Sequence, residues 1–370
     1  MFELPKPTGE YPVGTEILYC VDYSRNEDAV ASDGRPRELA VQLWYPAQPS
    51  RRPKAHYRRR LESALKNLYQ VFIRTNSVLN APAANSVTPF PVILLNHGWG
   101  GRRTSFTYLA EDVASHGYVV ASIDHTYNAK LVAFPGGRVI RGVAPVDVSN
   151  PDCSTAERVR SIWNVELIKW VADQRFVLDH LAALNIDTGS RWQAKLAVAN
   201  CVAIGHSFGG SAATAACAED RRVRASVNLD GWFFNALQKR GANQPMLFMA
   251  GADPFAARDP QYASRSVSNK LDMEDWADLE RSLAKHGGCV VTIQGAAHND
   301  FTDHPLVSAH HFISRRRASP SVFTGNIVRR YVLAFLNWTL HGVNSELIEG
   351  GVSRDPLVAA KFWSSLDSRE

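Results

Sequence analysis

From residue 90 onward, short apolar runs alternate with stretches of helical periodicity, and this alternation limits the fold more than any other feature of the chain. The runs are Phe90-Pro91-Val92-Ile93-Leu94-Leu95, Tyr118-Val119-Val120-Ala121-Ser122-Ile123, Cys201-Val202-Ala203-Ile204, Ala225-Ser226-Val227-Asn228-Leu229, Met246-Leu247-Phe248-Met249 and Cys289-Val290-Val291-Thr292-Ile293. Strands buried on both faces need such unbroken apolar character, which is the signature of parallel pairing. Helical patterns fill the gaps at about 104 to 115, 155 to 184, 208 to 219, 271 to 285 and 321 to 340. The order predicts an α/β fold with a mostly parallel central sheet flanked by helices and a ligand site at the carboxyl ends of its strands.

The chain has 370 residues, 45% of them hydrophobic and 21% charged, enough apolar material for a large core. No repeat, low-complexity tract or linker divides it, so residues 1–370 are expected to form a single domain. The net charge of +5 is modest, with basic residues gathered in Arg51-Arg52-Pro53-Lys54 and Arg58-Arg59-Arg60; no nucleic-acid partner is implied. Five cysteines without a Cys-x-x-Cys pair point to neither a zinc site nor a disulfide framework. The chain shows no apolar signal segment and no run long enough for a membrane span, so a soluble protein is expected, cytoplasmic or secreted with its leader removed.

Upstream of the alternation, Arg37 to Pro46 reads as an antiparallel edge strand. Residues 51–80 are expected to hold a helical insertion, with Leu61, Leu65, Leu68 and Phe72 at helical spacing and arginines on the other face. Two readings stand for it: a lid or lipid-surface helix, or a helix packed on the sheet. Residues 128–153 are expected to line the pocket, with a hairpin turning at Phe134-Pro135-Gly136-Gly137-Arg138.

The chemistry concentrates in Gly205-His206-Ser207-Phe208-Gly209-Gly210, placed between an apolar strand and a helix of small residues. A serine on so sharp a strand-to-helix turn needs glycines on either side, and the helix amino end favours a developing anion beside it. A serine hydroxyl is a poor nucleophile, so it requires a histidine base, and the histidine requires an acid to fix its tautomer. His298, after the last predicted strand, is the expected base. The acid stays open between Asp230, in Leu229-Asp230-Gly231-Trp232, and Asp253, in Gly251-Ala252-Asp253-Pro254. Acyl transfer also needs two backbone N–H groups on the carbonyl oxygen; Phe208 follows the serine, and Trp99 in Asn96-His97-Gly98-Trp99-Gly100-Gly101 is the expected second donor. The group Asp300, Asp303, His304, His310 and His311 matches no common metal-ligand spacing, and neither metal nor organic cofactor is required.

These motifs, together with Arg37 to Pro46, Ala114-Ser115-His116-Gly117-Tyr118-Val119-Val120-Ala121 and His298 with Phe301 and Asp303, resemble the platelet-activating factor acetylhydrolase family of α/β-hydrolases. The resemblance implies a triad of Ser207, Asp230 and His298, because the family carries its acid in a Leu-Asp-x-Trp motif, and it places Trp99 and Phe208 at the oxyanion hole. It implies a serine ester hydrolase acting on short-chain or oxidised acyl esters, with a small-molecule or lipid ester as substrate and peripheral contact with a lipid surface. Trp99 stands where the family commonly has a smaller apolar residue. Three other readings use the same residues: an acyltransferase or cyclising thioesterase working through the same acyl-enzyme, an esterase for polyesters or bulky natural products, and a member of the fold that only binds partners.

Overall fold

The six apolar runs are strands, and they form the parallel centre of a larger sheet. The computed structural model describes residues 2–28, 34–62, 65–144, 154–234, 236, 244–252, 266–308, 320–350 and 355–364. Its strands are β1 (Phe2–Glu3), β2 (Val13–Asn26), β3 (Pro36–Pro46), β4 (Lys54–His56), β5 (Ile73–Leu79), β6 (Phe90–Asn96) and β7 (Val119–Asp124). They continue with β8 (Leu131–Ala133), β9 (Val139–Arg141), β10 (Leu196–His206), β11 (Val223–Leu229), β12 (Met246–Ala250), β13 (Gly288–Ile293) and β14 (Val358–Trp363). The longer helices are α1 (Thr107–Ser115), α2 (Ala156–Ile186), α3 (Phe208–Glu219), α4 (Val267–His286) and α5 (Pro320–His341).

Twelve strands make one sheet, ordered β1-β5-β2-β3-β7-β6-β10-β11-β12-β13-β14 with β4 beside β5. The run β7-β6-β10-β11-β12-β13 is parallel throughout. Successive side chains divide between two faces. Ile93, Leu95, Ile204 and Met249 pack with Leu109 and Val113 of α1 and Phe335 of α5, while Val92, Leu94 and Ala203 pack with Val177 and Leu181 of α2 and Ala213 of α3. From β6 the chain crosses to β7 on one side and returns to β10 on the other. The carboxyl ends of β6 and β10 therefore flank a topological switch point, where α/β sheets leave a crevice.

Two expectations fail together at the amino-terminal side. β3 is antiparallel, as expected, but it lies inside the sheet between β2 and β7 and is buried along most of its length. Among the described residues of 51–80 there is no α-helix; they give β4 and β5, which extend the sheet beyond β2, and two 3-10 helices (Arg60–Glu62 and Leu65–Phe72). The physical reason is that, beyond Ile73, the inward side of β5 is polar. Thr75 and Ser77 are buried there, Thr75 donating to the Ala55 carbonyl at 2.9 Å, while Glu111 of α1 accepts from the Ser77 backbone N–H at 2.7 Å and from its hydroxyl. The expected apolar face is partly turned outward, leaving Leu61 and Phe72 58% and 60% exposed.

The predicted hairpin is present as β8 and β9, turning at Gly136 with φ of 73°. Lys130, just before β8, lines one of the cavities beside Ser207, while the hairpin strands themselves do not; Val132 and Phe134 pack on Ala40 and Tyr19. Residues 145–153 lie outside the described residues. Among the described residues, Cys20, Cys201, Cys217 and Cys289 are buried free thiols, and no helix is long and apolar enough to cross a membrane.

Candidate active site

Ser207 joins β10 to α3 with φ 55° and ψ −128°, a conformation an L-residue adopts only under constraint. The constraint comes from both sides. Its backbone N–H donates to the Leu229 carbonyl at the end of β11 at 2.9 Å, and α3 starts at once with Phe208. Gly205 faces Gly209 so closely that a Cβ on Gly205 would overlap the Gly209 carbonyl. Gly98 makes the other close approach: a Cβ there would lie 3.0 Å from the Ser207 Cβ and 3.1 Å from His206 Nδ1. The loop after β6 thus lies directly against the serine turn.

His97 fixes the direction of that loop. Its Nε2 accepts from the His125 backbone N–H at 3.3 Å, so Nδ1 carries the proton and donates to the Gly98 carbonyl at 2.7 Å. The Gly98 carbonyl also accepts from the Gly101 N–H at 2.8 Å. In a trans peptide the next N–H points the opposite way from that carbonyl, so Trp99 presents its N–H away from these partners. Phe208 is the first residue of α3, and its N–H has no intrahelical partner.

Asp230 ends β11 in a left-handed conformation, φ 57°, and its backbone N–H donates to the Met249 carbonyl at 2.7 Å. One carboxylate oxygen accepts from His298 Nδ1 at 2.6 Å and the other from the Gly251 N–H at 3.3 Å. A carboxylate only accepts, so Nδ1 of His298 is protonated and Nε2 of the neutral ring is left as an acceptor. The side chains of His298 and Asp230 are 48% and 24% exposed, open to a substrate. Among the described residues no hydrogen bond engages the Ser207 hydroxyl; Ser207 and His298 both border the same two cavities.

The loop after β13 that carries His298 is fastened from below. Phe301 is buried in the core beside α5. Asp303 is buried and accepts from the Tyr108 N–H at 3.2 Å, capping α1 from a distant part of the chain; burial holds its carboxyl well above the ordinary range. This role explains Asp303 without a metal, while His310 and His311 lie outside the described residues, as does Asp253.

His206 adds a link that sequence reasoning passed over as part of a turn motif. Its Nε2 donates to the His298 carbonyl at 2.8 Å, and the two rings lie 4.4 Å apart. Burial, with the neighbouring His298 imidazole, pushes the His206 ring down to about 4, so it is neutral at ordinary pH.

Two cavities meet at Ser207. One, of about 450 Å³, is walled by Trp99, Trp163, Phe208, Trp232, Phe234 and Trp276. Trp163 of α2 stacks on Phe234 with centroids 5.7 Å apart and meets Trp99 edge-on at 5.2 Å. The other, of about 480 Å³, has a polar wall that includes Arg58, Arg102 and Lys130. Of these lining groups Trp99, Phe208 and Trp232 stand in the motifs read from the sequence, and Lys130 in the segment expected to line the pocket, whereas Trp163 and Trp276 come from helices far from any motif.

The model of the platelet-activating factor acetylhydrolase isoform II family matches residues 1–134 and 177–349. The chain belongs to this family. Trp163 and Trp170 of α2 fall between the two matched stretches of the family model. The chain is 25% identical over 399 residues to a probable 1-alkyl-2-acetylglycerophosphocholine esterase of Arthroderma benhamiae, covering 96% of this chain and 93% of that protein. It is 23% identical over 374 residues to the platelet-activating factor acetylhydrolase of Cavia porcellus, covering 90% and 77%. The solved structure of a ferulic acid esterase from Streptomyces cinnamoneus superposes with a TM-score of 0.72 at 31% identity, covering 98% of this chain and 99% of that one. Within the platelet-activating factor acetylhydrolase family this chain is a carboxylic ester hydrolase of the α/β-hydrolase fold.

Proposed function

We propose that the chain hydrolyses short-chain or oxidised acyl esters through a covalent acyl-enzyme on Ser207. The observation that carries the reading is the 2.6 Å bond from His298 Nδ1 to Asp230, made beside the strained Ser207 turn. His298 Nε2 takes the Ser207 proton as Oγ attacks the ester carbonyl, and Asp230 steadies the imidazolium that forms. The N–H groups of Trp99 and Phe208 hold the oxyanion. Collapse of the tetrahedral intermediate expels the alcohol, which takes its proton from His298. Water, deprotonated by the same imidazole, then releases the acid and restores the serine. The route uses only side chains and backbone and calls on no cofactor.

The aromatic cavity is the natural seat for the acyl group, since it is apolar and opens at Ser207. Its volume supports a compact acyl chain, in keeping with the acetyl ester named for the Arthroderma benhamiae relative. A second reading, an ester with a flat aromatic acyl group, is favoured by the cluster of Trp99, Trp163 and Phe234 rings on the cavity wall and by the name of the Streptomyces cinnamoneus neighbour. Exposed Leu61, which follows Arg59 and Arg60 in the chain, and exposed Phe72 support peripheral contact with a lipid interface. Charge-dependent sedimentation with anionic vesicles, lost in Leu61→Ser/Phe72→Ser, tests that contact.

The main test pairs p-nitrophenyl acetate turnover with fluorophosphonate labelling mapped to its residue. Ser207→Ala is expected to lower turnover by several orders of magnitude, and the label to sit on Ser207. Unchanged turnover in the variant would reject the serine route. A panel of acetyl, hexanoyl, decanoyl and hydroxycinnamoyl esters then separates the two substrate readings.

A further inference from the structure

The two backbone donors assigned to the oxyanion, Trp99 and Phe208, belong to separate elements, the loop after β6 and the start of α3. One side chain touches both residues. Trp170 of α2 is fully buried and lines neither cavity at Ser207. Its indole stacks on the Trp99 ring, with centroids 6.3 Å and planes 18° apart, and meets the Phe208 ring edge-on at 5.0 Å. The two histidines behind the loop rest on the same indole. His97 meets it edge-on at 5.1 Å, and His125 stacks on it at 3.7 Å. Asp173, three positions further along α2 and so on the same face, accepts from His125 Nδ1 at 2.9 Å. The helix thus holds the His125 ring by its face and by its edge. Burial pushes that ring down to about 3, so it is neutral and its place in the stack does not depend on a charge.

Hydrogen bonds carry the same hold into the loop. The Trp170 indole N–H donates to Asn128 Oδ1 at 3.1 Å, and the main-chain carbonyl of Asn128 accepts from the Gly100 N–H at 2.9 Å. The Gly98–Trp99 peptide, which carries the Trp99 N–H, is therefore bracketed. Before it, His97 fixes the Gly98 carbonyl and is itself packed on Trp170; after it, Asn128 fixes Gly100 and is itself bonded to Trp170. A donor stabilises a developing oxyanion well only if it already points at the place where the charge appears. A misplacement of about 1 Å costs a positioned group up to about 100-fold in rate.

We propose that Trp170 is a positioning residue that holds both oxyanion donors in register with Ser207. The inference rests on the serine acyl-enzyme reading above and adds to it a residue from the stretch that the family model leaves unmatched. Trp170 touches no reacting atom. It acts through the rings of Trp99 and Phe208 and through His97 and Asn128, so its loss weakens the hold on the oxyanion more than the hold on the bound ester.

The test is Trp170→Phe, which keeps an aromatic ring and removes the indole N–H and part of the stack. With p-nitrophenyl acetate, kcat per active site, counted by fluorophosphonate titration, is expected to fall about tenfold or more while KM changes by less than about twofold. A short aliphatic trifluoromethyl ketone takes Ser207 Oγ at its carbonyl carbon, passes the serine proton to His298 and leaves an oxyanion between the two donors. Its affinity should fall by the same factor as kcat. A purely structural role would lower the melting temperature and the count of active sites without moving either quantity. If Trp170→Phe does not fold, Asn128→Leu carries the test, since it leaves the rings in place and removes the acceptor of the indole N–H; a parallel loss of about threefold or more is expected in kcat and ketone affinity. Asn128 also donates to Glu166 at 3.2 Å, so Asn128→Asp/Glu166→Gln restores the indole acceptor with that bond reversed and should recover most of the loss. A folded variant whose kcat per active site stays within about twofold of the parent overturns the proposal, as does a fall in kcat with ketone affinity unchanged. If hydrolysis persists in Ser207→Ala, the serine reading itself has failed; if hydrolysis depends on Ser207 but ignores Trp170 and Asn128, only the positioning role has.

Discussion

His206 Nε2 donates to the main-chain carbonyl of His298 at 2.8 Å, tying the residue before the candidate nucleophile to the backbone of the candidate base. The two residues are 92 positions apart, on β10 and in the loop after β13. Together with the Asp230 bond and the anchors at Phe301 and Asp303, this bond fixes where the His298 loop sits relative to the serine turn. His206 borders the polar cavity, but its Nε2 is engaged by the His298 carbonyl, and its role is positioning. Replacing it with Phe removes the donor and keeps the bulk, so kcat is expected to fall about tenfold or more with KM little changed, since small misplacements of a base are expensive. His206→Gln, which restores an N–H at a similar reach, should recover part of the loss. Equal rates for the Phe and Gln variants at matched stability would show that the bond does not position the base.

The choice of acid can be settled by comparing Asp230→Asn with Asp253→Asn at neutral pH. Asn at 230 no longer favours the Nδ1–H tautomer of His298, so turnover should drop by about three to four orders of magnitude, as tautomer loss does in other triads. Asp253→Asn should stay within a few-fold of the parent. The reverse ranking would transfer the role to Asp253.

Legibility in the sequence followed burial. The six central strands could be read because both faces are covered, which leaves runs such as Val92 to Leu95 with no polar interruption. β5 could not, because its inward residues Thr75 and Ser77 are polar and are satisfied by Ala55 and by Glu111 of α1, a partner that no local window contains. Apolar periodicity therefore placed Leu61 and Phe72 on one face of an amphipathic helix, read either as a lid or lipid-surface helix or as packed on the sheet, although they stand in 3-10 turns and are largely exposed. The same limit applies at the site. Ser207, Asp230 and His298 stand in motifs with strong local grammar, and the structure brings them to one rim of the sheet. Trp163 borders the same rim from outside those motifs, and nothing in its own neighbourhood marks it; Arg58, in the basic run 58–60, and Arg102, just after Gly100-Gly101, lie beside features the sequence showed, but neither pattern assigned them to the site.

The Ser207 conformation itself makes a stability prediction. At φ 55° and ψ −128° any residue with a Cβ is strained, at a cost of about 1–3 kcal/mol, and glycine is not. Ser207→Gly and Ser207→Ala both lack the hydroxyl and should both be inactive. The glycine variant should nonetheless be the more stable of the two by about 1 kcal/mol, after allowing for the greater freedom of glycine in the unfolded chain. Thermal or urea unfolding of the pair measures the difference. An alanine variant as stable as the glycine one would mean that the turn stores no strain.

Glu62 links the amino-terminal 3-10 turn to the loop beneath the site, accepting from Arg103 and, at 2.9 Å, from Arg59 Nε. Burial by itself would raise this carboxyl, but the two guanidinium groups outweigh it and hold it at about 2 rather than 4.5. The folded value lies below the unfolded one, so the folded state resists protonation. The stability contributed is present in full above about pH 5 and is lost as pH falls toward 2. A displacement from 4.5 to about 2 corresponds to on the order of 3 kcal/mol. Urea unfolding of the parent and of Glu62→Gln at pH 7, 4.5, 3 and 2 should therefore show the widest gap at pH 7 and near convergence at pH 2, where the protonated glutamate resembles glutamine. A gap that stays constant across this range would mean that Glu62 stabilises the fold through shape and neutral hydrogen bonds, with its charge contributing nothing.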